Sequence, residues 1–67
     1  MTNNIKQLRD QFNITQQDLA ERVNVSRQTI ISLESGKYNP SIILAYKIAK
    51  VFDLPIEEVF IFEEDSL

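Results

Sequence analysis

The sequence predicts a mainly all-α fold of five short helices ending in a short β-strand, and three observations support this. Apolar residues recur at helical spacing along most of the 67-residue chain. Hydroxyl residues suited to helix capping precede three of these segments. The run Phe60–Phe62 is aromatic and β-branched, which is typical of a strand. We expect residues 1–67 to form a single domain, near the lower size limit for folding without disulfides or metals.

The first predicted helix runs from about Asn4 to Phe12. Ile5, Leu8 and Phe12 share one stripe at helical spacing, so this helix has one apolar face for the core. Residues 1–4 are polar, and we expect them to be loosely ordered unless an edge strand captures them.

Two short helical patterns with a tight connection make up the range Thr15–Glu34. Thr15 can cap the first helix and Ser26 the second. Between them, Asn24 tolerates a positive φ and can form the corner, and Val25 is an apolar residue suited to the space between two helices. Two helices crossing steeply through a turn of three or four residues form a helix-turn-helix, which is therefore predicted here.

The second helix of this pair begins with polar side chains that suit the edges of DNA bases. Arg27 can hold guanine and Gln28 can hold adenine, each through two hydrogen bonds. Ser32 follows one turn later. Ile31 either packs under the next helix or contacts a thymine methyl group, and we favour the contact with DNA. We therefore predict Arg27, Gln28, Ser32 and Ile31 as base-reading residues, since a recognition helix enters the major groove with its N-terminal residues first.

Further polar residues around this helix suit the DNA backbone. Ser26 and Thr29 are predicted as phosphate-contacting or capping groups rather than base readers. Gly36 ends the helix in the usual left-handed position. The exposed loop that follows offers a charge, a hydroxyl and an amide to a phosphate strand, although the tyrosine could instead pack on the loop. Its residues are Lys37, Tyr38 and Asn39.

The fourth helix is predicted to begin after its cap, Ser41, and to run to about Phe52. Two bulky residues, Ile43 and Tyr46, fall off its apolar stripe, so they are expected to be exposed or covered by a partner. The predicted stripe consists of Ile42, Ala45, Ile48, Ala49 and Phe52.

A short fifth helix is predicted after Pro55, and a short strand with a charged tail over about residues 60–67. A lone strand cannot satisfy its backbone hydrogen bonds, so it must pair with residues 1–4 or with the same strand of a second chain. We therefore expect Phe60, Ile61 and Phe62 to form the seam of a dimer. The alternatives are a helical extension or closure of the core within one chain.

The pattern around the two central helices resembles the Cro/lambda-repressor-like (Xre-type) helix-turn-helix family. The resemblance extends over roughly residues 5–59, and the joint pattern is more specific than any of its parts. This chain departs from the family at the corner, where Asn24 replaces the usual glycine. The matching residues are Arg9, Gln16, Leu19, Ala20, Val23, Val25, Ile30, Leu33, Glu34, Gly36, Lys37 and Pro40.

The resemblance implies a five-helix DNA-binding domain and roles for three polar residues. It implies that Arg9 forms an ion pair with Glu34, tying the first helix to the end of the recognition helix. The alternative is that both are solvated surface charges, whose pairing would add little stability. It also places Gln16 against a DNA phosphate. Small dimeric members of the family carry a terminal β-ribbon, which agrees with the predicted strand.

Charge and composition limit the function. The net charge is −3, yet residues 1–52 carry seven basic and four acidic residues, a net charge of +3, and residues 53–67 carry six acidic residues and no basic one. This asymmetry suggests a DNA-facing body with an acidic end turned away from the phosphates; the alternative is that the acids only solubilise the C-terminus. The chain has no cysteine and no histidine, so we expect no metal site, no cofactor and no catalytic centre.

We predict a sequence-specific transcriptional repressor that binds double-stranded DNA at a pseudo-palindromic operator as a homodimer. No apolar run is long enough for a membrane span, so we expect a cytoplasmic protein without membrane contact. No small-molecule ligand is expected, because the domain is too small for a ligand-sized cavity beside its core. The alternative is an antitoxin-like protein-interaction module that uses the same scaffold to bind a partner protein through Ile43, Tyr46 and the apolar C-terminus.

Overall fold

A computed structural model describes residues 2–62, which fold into five helices. This confirms the predicted helical architecture. Because each helix is short, most of its stability comes from packing against the others rather than from helix propensity. The helices are α1 (Ile5–Phe12), α2 (Gln16–Arg22), α3 (Arg27–Glu34), α4 (Ile42–Val51) and α5 (Ile56–Val59). Among residues 2–62, none of these helices combines the length and apolar character that crossing a membrane requires.

The three predicted hydroxyl caps are confirmed. Thr15 Oγ1 accepts a hydrogen bond from the backbone N–H of Asp18 at 3.0 Å. Ser26 Oγ and Ser41 Oγ accept from backbone N–H groups three residues later, at 3.2 Å and 3.1 Å. A fourth interaction was not predicted: Asn3 Oδ1 accepts from the N–H of Ile5 at 3.1 Å and so satisfies a donor at the start of α1.

Three helix ends are closed in the same way by a residue in the left-handed conformation. Asn24 adopts φ 60°, as predicted for the corner of the helix-turn-helix, and Asn13 and Asp53 both adopt φ 56°. In each case the next residue donates its N–H to a carbonyl five residues earlier; at the corner, Val25 donates to Ala20 at 2.9 Å. This is the Schellman arrangement, which satisfies carbonyls that the helix leaves unpaired.

One apolar core joins all five helices, and its α4 contribution differs from the predicted stripe. Ile42 is 84% exposed, so its assignment to the core was wrong, and Leu44 is buried in its place. Four consecutive apolar residues occupy positions 42–45, so periodicity alone does not select which of them face inward. The most completely buried large side chains are Ile5, Leu19, Ile30, Leu33, Ile48, Phe52, Val59 and Phe60.

The predicted C-terminal strand does not form among the described residues. A single antiparallel bridge joins Phe60 to Asn3. Beside it, Ile61 N–H donates to the Thr2 carbonyl and Asn4 N–H to the Val59 carbonyl, each at 2.8 Å. The N-terminal segment is therefore the pairing partner, one of the two that were anticipated. Positions 63–67 of the predicted strand lie outside the described residues.

The assignment of Phe60 to a dimer seam was wrong. Its side chain is only 1% exposed in a single chain and forms part of the core, so it is not available to a second copy. Its neighbours Ile61 and Phe62 are 41% and 57% exposed. Only these two residues of the proposed seam remain accessible.

Candidate nucleic-acid interface

The exposed face of α3 begins with the two long polar side chains that were predicted to read bases. Arg27 and Gln28 occupy its first two positions, directly after the Ser26 cap, and both are exposed. Ser32 lies one turn after Gln28 on the same face and is partly exposed. Ile30 and Leu33 point the other way into the core, which fixes the orientation of the helix. The α3 face therefore presents hydrogen-bonding groups outward from a rigidly packed helix.

Ile31 was expected either to pack under α4 or to contact DNA, and in the structure its side chain is partly buried. It lies neither in the buried core nor among the largely exposed apolar residues. Its partial burial agrees with either position and does not select between them.

The hydroxyl groups of Ser26 and Thr29 already have partners within the helix start. Their oxygens lie 3.0 Å apart, and Ser26 Oγ also accepts the N–H of Thr29. A hydroxyl has one donor and two acceptor positions, so each retains limited capacity for a further bond. This engagement suits a supporting role at the edge of the interface better than base recognition.

The loop after α3 returns beside the recognition face. Tyr38, which is 44% exposed, lines one surface depression together with four α3-side residues. Lys37 and Asn39 on either side of it are exposed. The structure thus brings the loop and the helix start to one surface. The residues lining this depression are Ser26, Gln28, Thr29, Ser32 and Tyr38.

A second cleft lies where the end of α1 and the start of α2 approach the first turn of α3. Gln16 and Arg27 both line it, so a predicted phosphate contact and a predicted base reader border the same space. Arg9 contributes to its wall. The charge of Arg9 is paired with Glu34, and the carboxylate of Asp10 also lines the cleft. Arg27 and Gln16 are therefore the groups of this cleft that suit a phosphate.

The residues of the predicted ion pair lie opposite each other, Arg9 on α1 and Glu34 on α3. Arg9 Nε donates to Glu34 Oε2 at 2.6 Å and Arg9 Nη2 to Glu34 Oε1 at 3.1 Å, while Nη1 donates to the Ile14 carbonyl at 3.2 Å. Both side chains are 10% exposed. The hydrogen bonds to Glu34 raise the pKa of Arg9 above its ordinary value, although burial acts to lower it.

The ion pair has a third member that was not predicted from the sequence. Gln16 Nε2 donates to Glu34 Oε1 at 3.1 Å, so the same carboxylate oxygen serves Arg9 and Gln16. The two residues are separated by 18 positions and belong to different helices. Only the crossing of α2 and α3 brings them together, and no local sequence signal marks it.

A further surface is apolar rather than polar. Ile42, Ile43 and Tyr46 are the exposed apolar residues of α4, at 84%, 68% and 56% exposure, and they occupy adjacent positions on the helix surface. Lys50 Nζ lies 5.9 Å from the centre of the Tyr46 ring, within the range of a cation–π contact. We refer to Ile42, Ile43 and Tyr46 as the α4 apolar patch.

Comparison with known proteins places this geometry among regulators of transcription. A family model described as Helix-turn-helix matches residues 5–59. An uncharacterized HTH-type transcriptional regulator of Archaeoglobus fulgidus is 58% identical over 67 residues, which cover 100% of this chain and 94% of the relative.

Two solved structures have the same fold. The restriction-modification controller protein C.AhdI of Aeromonas hydrophila aligns with a TM-score of 0.76 and 27% identity, covering 84% of this chain and 85% of that one. A chain in the complex of SinR protein with SinI protein aligns with a TM-score of 0.77 and 28% identity, covering 94% of this chain and 62% of that one.

Proposed function

The chain belongs to the Xre-type helix-turn-helix family of DNA-binding transcriptional regulators, and on that premise we propose that it is a repressor acting on a pseudo-palindromic operator as a homodimer. Proteins of this family are regulators and not enzymes. The observation that carries the proposal is the outward face of α3, where Arg27, Gln28 and Ser32 are accessible while the opposite face is locked into the core. We place its site of action in the cytoplasm.

Base recognition in this proposal comes from three side chains at the start of α3 and from one apolar neighbour. Arg27 donates to guanine O6 and N7, and Gln28 forms a donor–acceptor pair with adenine N6 and N7. Ser32 reaches a base edge one turn further along. Ile31 contacts a thymine methyl through its accessible atoms.

Contacts with the DNA backbone hold α3 in register with the major groove. Lys37 supplies the ionic contact, and Tyr38 and Asn39 supply neutral donors from the loop that shares a surface with α3. Gln16 contacts the phosphate strand from the cleft on the other side. Ser26 and Thr29 act at the helix start, where their mutual hydrogen bond leaves limited further capacity.

Repression follows from occupancy, because a protein seated on the operator excludes other proteins from the same DNA. A two-fold dimer would present two recognition helices about one helical turn apart, ~34 Å, and would therefore require a pseudo-palindromic site. The exposed apolar side chains Ile61 and Phe62 and the α4 apolar patch offer area for a second copy. An isologous interface uses the same patch on both copies.

A second candidate function is a protein-interaction module on the same scaffold. The observation that favours it is the α4 apolar patch, in which Ile43 and Tyr46 are 68% and 56% exposed. A structural neighbour is a chain in a complex between SinR and SinI proteins. In this case the patch would hold a partner protein, and DNA binding would be secondary.

Selection from a pool of randomised duplex DNA separates the two candidates. The folded protein is incubated with the pool at fixed moderate salt, and the bound fraction is sequenced. We expect an enriched palindrome with half-sites about ten base pairs apart. A single enriched half-site would contradict the dimer, and no enrichment from well-folded protein would favour the interaction module.

We predict that Gln28→Ala weakens binding to the selected operator by about 1–3 kcal/mol and relaxes the base preference at one position in each half-site. The lost hydrogen bonds go to one base, so the effect is confined to sequences that carry it. Fluorescence anisotropy titrations measure this. They compare the selected operator with operators in which one base pair at a time is changed.

Lys37→Ala provides the contrast, because its ammonium group serves phosphates that every sequence has. It should weaken binding to all duplexes by a similar factor and reduce the salt dependence of affinity by about one ion. Equal losses of Gln28→Ala on the operator and on random DNA would contradict its role as a base reader.

A further inference from the structure

The Glu34 carboxylate lies at the end of the recognition helix and is surrounded by donors from two other helices. It accepts from Arg9 Nε at 2.6 Å, from Arg9 Nη2 at 3.1 Å and from Gln16 Nε2 at 3.1 Å. Both partners of the ion pair are 10% exposed, so this group of atoms is held out of bulk water. Hydrogen bonds to a charged group in such surroundings are stronger than between neutral groups.

The contact fixes which end of the Gln16 amide faces Glu34. An ionised carboxylate only accepts hydrogen bonds, so the amide nitrogen must point towards it and the amide oxygen must point away. The Nε2 atom has two hydrogens and uses one of them on Glu34. The second hydrogen remains for another acceptor, and its direction is set by the first.

The ion pair with Arg9 offsets the repulsion that the Glu34 carboxylate would otherwise exert on DNA phosphates. A negative group beside a DNA strand repels phosphates, but Arg9 neutralises Glu34 through two hydrogen bonds. Gln16 is therefore held by a pair whose net charge is zero.

We propose that Glu34 is a positioning residue for DNA binding: through the Gln16 Nε2 to Glu34 Oε1 hydrogen bond, the Arg9–Glu34 pair holds the Gln16 amide so that its second N–H donates to a phosphate oxygen. The proposal rests on the proposed phosphate contact of Gln16. It makes the end of α3 and the start of α2 one unit, so the helix that reads bases and the residue that grips the backbone keep a fixed spacing.

The direction in which one substitution changes DNA affinity distinguishes this role from a purely structural one. Glu34→Gln removes a negative charge near the bound polyanion, which by electrostatics alone leaves affinity unchanged or strengthens it. If Glu34 positions Gln16, the same substitution weakens binding. The new amide has one acceptor oxygen where the carboxylate has two, so Arg9 and Gln16 must share it, and its NH2 group repels their donors. The Gln16 amide is then no longer held in one orientation.

A double-mutant cycle on a short duplex of arbitrary sequence tests this, since phosphate contacts do not depend on sequence. Glu34→Gln, Gln16→Ala and the double variant are compared by fluorescence anisotropy at low salt and at a temperature where circular dichroism shows each to be folded. We expect each single variant to lose roughly fivefold in affinity and the double variant to lose no more than Gln16→Ala does. The matched control is Gln7→Ala, because Gln7 is an exposed glutamine of α1 that does not line the cleft shared by Gln16 and Arg27, and this variant should keep the wild-type affinity.

A second variant keeps the test decisive if Glu34→Gln does not fold. Gln16→Asn leaves the ion pair intact but shortens the amide, so it cannot span Glu34 and the phosphate, and we expect the loss seen with alanine. Wild-type affinity for Gln16→Asn, or an equal loss from Glu34→Gln with and without Gln16, would overturn the positioning role. Failure of the wild-type chain to bind any duplex would instead overturn the proposed function, so the two failures are distinguishable.

Discussion

Replacing Arg9 with alanine is expected to destabilise the fold by about 3–5 kcal/mol. The substitution leaves the Glu34 carboxylate mostly buried with its cationic partner removed, and it also removes the donor that serves the Ile14 carbonyl. Small domains are stable by only about 5–15 kcal/mol in total, so the loss is a large fraction of that. Urea unfolding followed by circular dichroism measures it.

Two further variants complete the measurement. Glu34→Ala removes the other partner, and the double variant should lose less than the sum of the two single losses, because neither charge is then left alone. Arg22→Ala is the matched control, since Arg22 is an exposed arginine at the end of α2 and should change stability by no more than about 0.5 kcal/mol. Small, additive losses of unfolding free energy for Arg9→Ala and Glu34→Ala would show that the two side chains do not stabilise the fold as a pair.

Phe60→Ala is expected to destabilise a single chain by about 3–5 kcal/mol, whatever the oligomeric state. The ring is 1% exposed and packs in the same core as Ile5, Phe52 and Val59, so alanine leaves a cavity there. The unfolding midpoint in urea, measured at several protein concentrations, separates this loss from an effect on dimer formation.

Phe62→Ala is the natural comparison, because it removes the same ring two residues later from a position that is 57% exposed. We expect a change in monomer stability within about 0.5 kcal/mol. Sedimentation equilibrium of both variants shows which ring supports self-association. Unchanged stability for Phe60→Ala together with a loss of dimer would restore the original assignment of Phe60 to the seam.

The features that could be predicted from sequence are those set by a few neighbouring residues. Thr15, Ser26 and Ser41 each stand just before an apolar periodic segment, and the cap hydrogen bond spans only three positions. Asn24 was recognised as the corner because it separates two such segments. Local chemistry also located the base-reading candidates, since Arg27 and Gln28 follow a cap directly.

The other two left-handed turns also carry a local sequence signal. Asn13, Asn24 and Asp53 are each followed by an apolar residue, and in the structure that residue donates the closing hydrogen bond and packs on the core. An Asn or Asp followed by one apolar residue at the end of a helical pattern therefore predicts this closure where glycine is absent.

Features that depend on how distant segments pack could not be predicted. Ile42 and Leu44 have similar apolar character, and only the position of α4 against the other helices decides that Leu44 faces inward. Phe60 resembles a strand residue locally but is buried because the N-terminal segment meets it at Asn3. The hydrogen bond from Gln16 to Glu34 depends in the same way on the crossing of two helices.

The junction between the chain's first described residues and the end of α5 has a kinetic consequence. Asn4 bonds Glu58 across a separation of 54 positions, whereas the contacts of α2 with α3 join residues close in sequence. Contacts that close so long a loop carry the largest entropic cost, so we expect them to form after the folding barrier. Interactions absent from the transition state slow unfolding and hardly change the folding rate. We therefore expect substitutions in residues 2–4 to change the unfolding rate more than the folding rate.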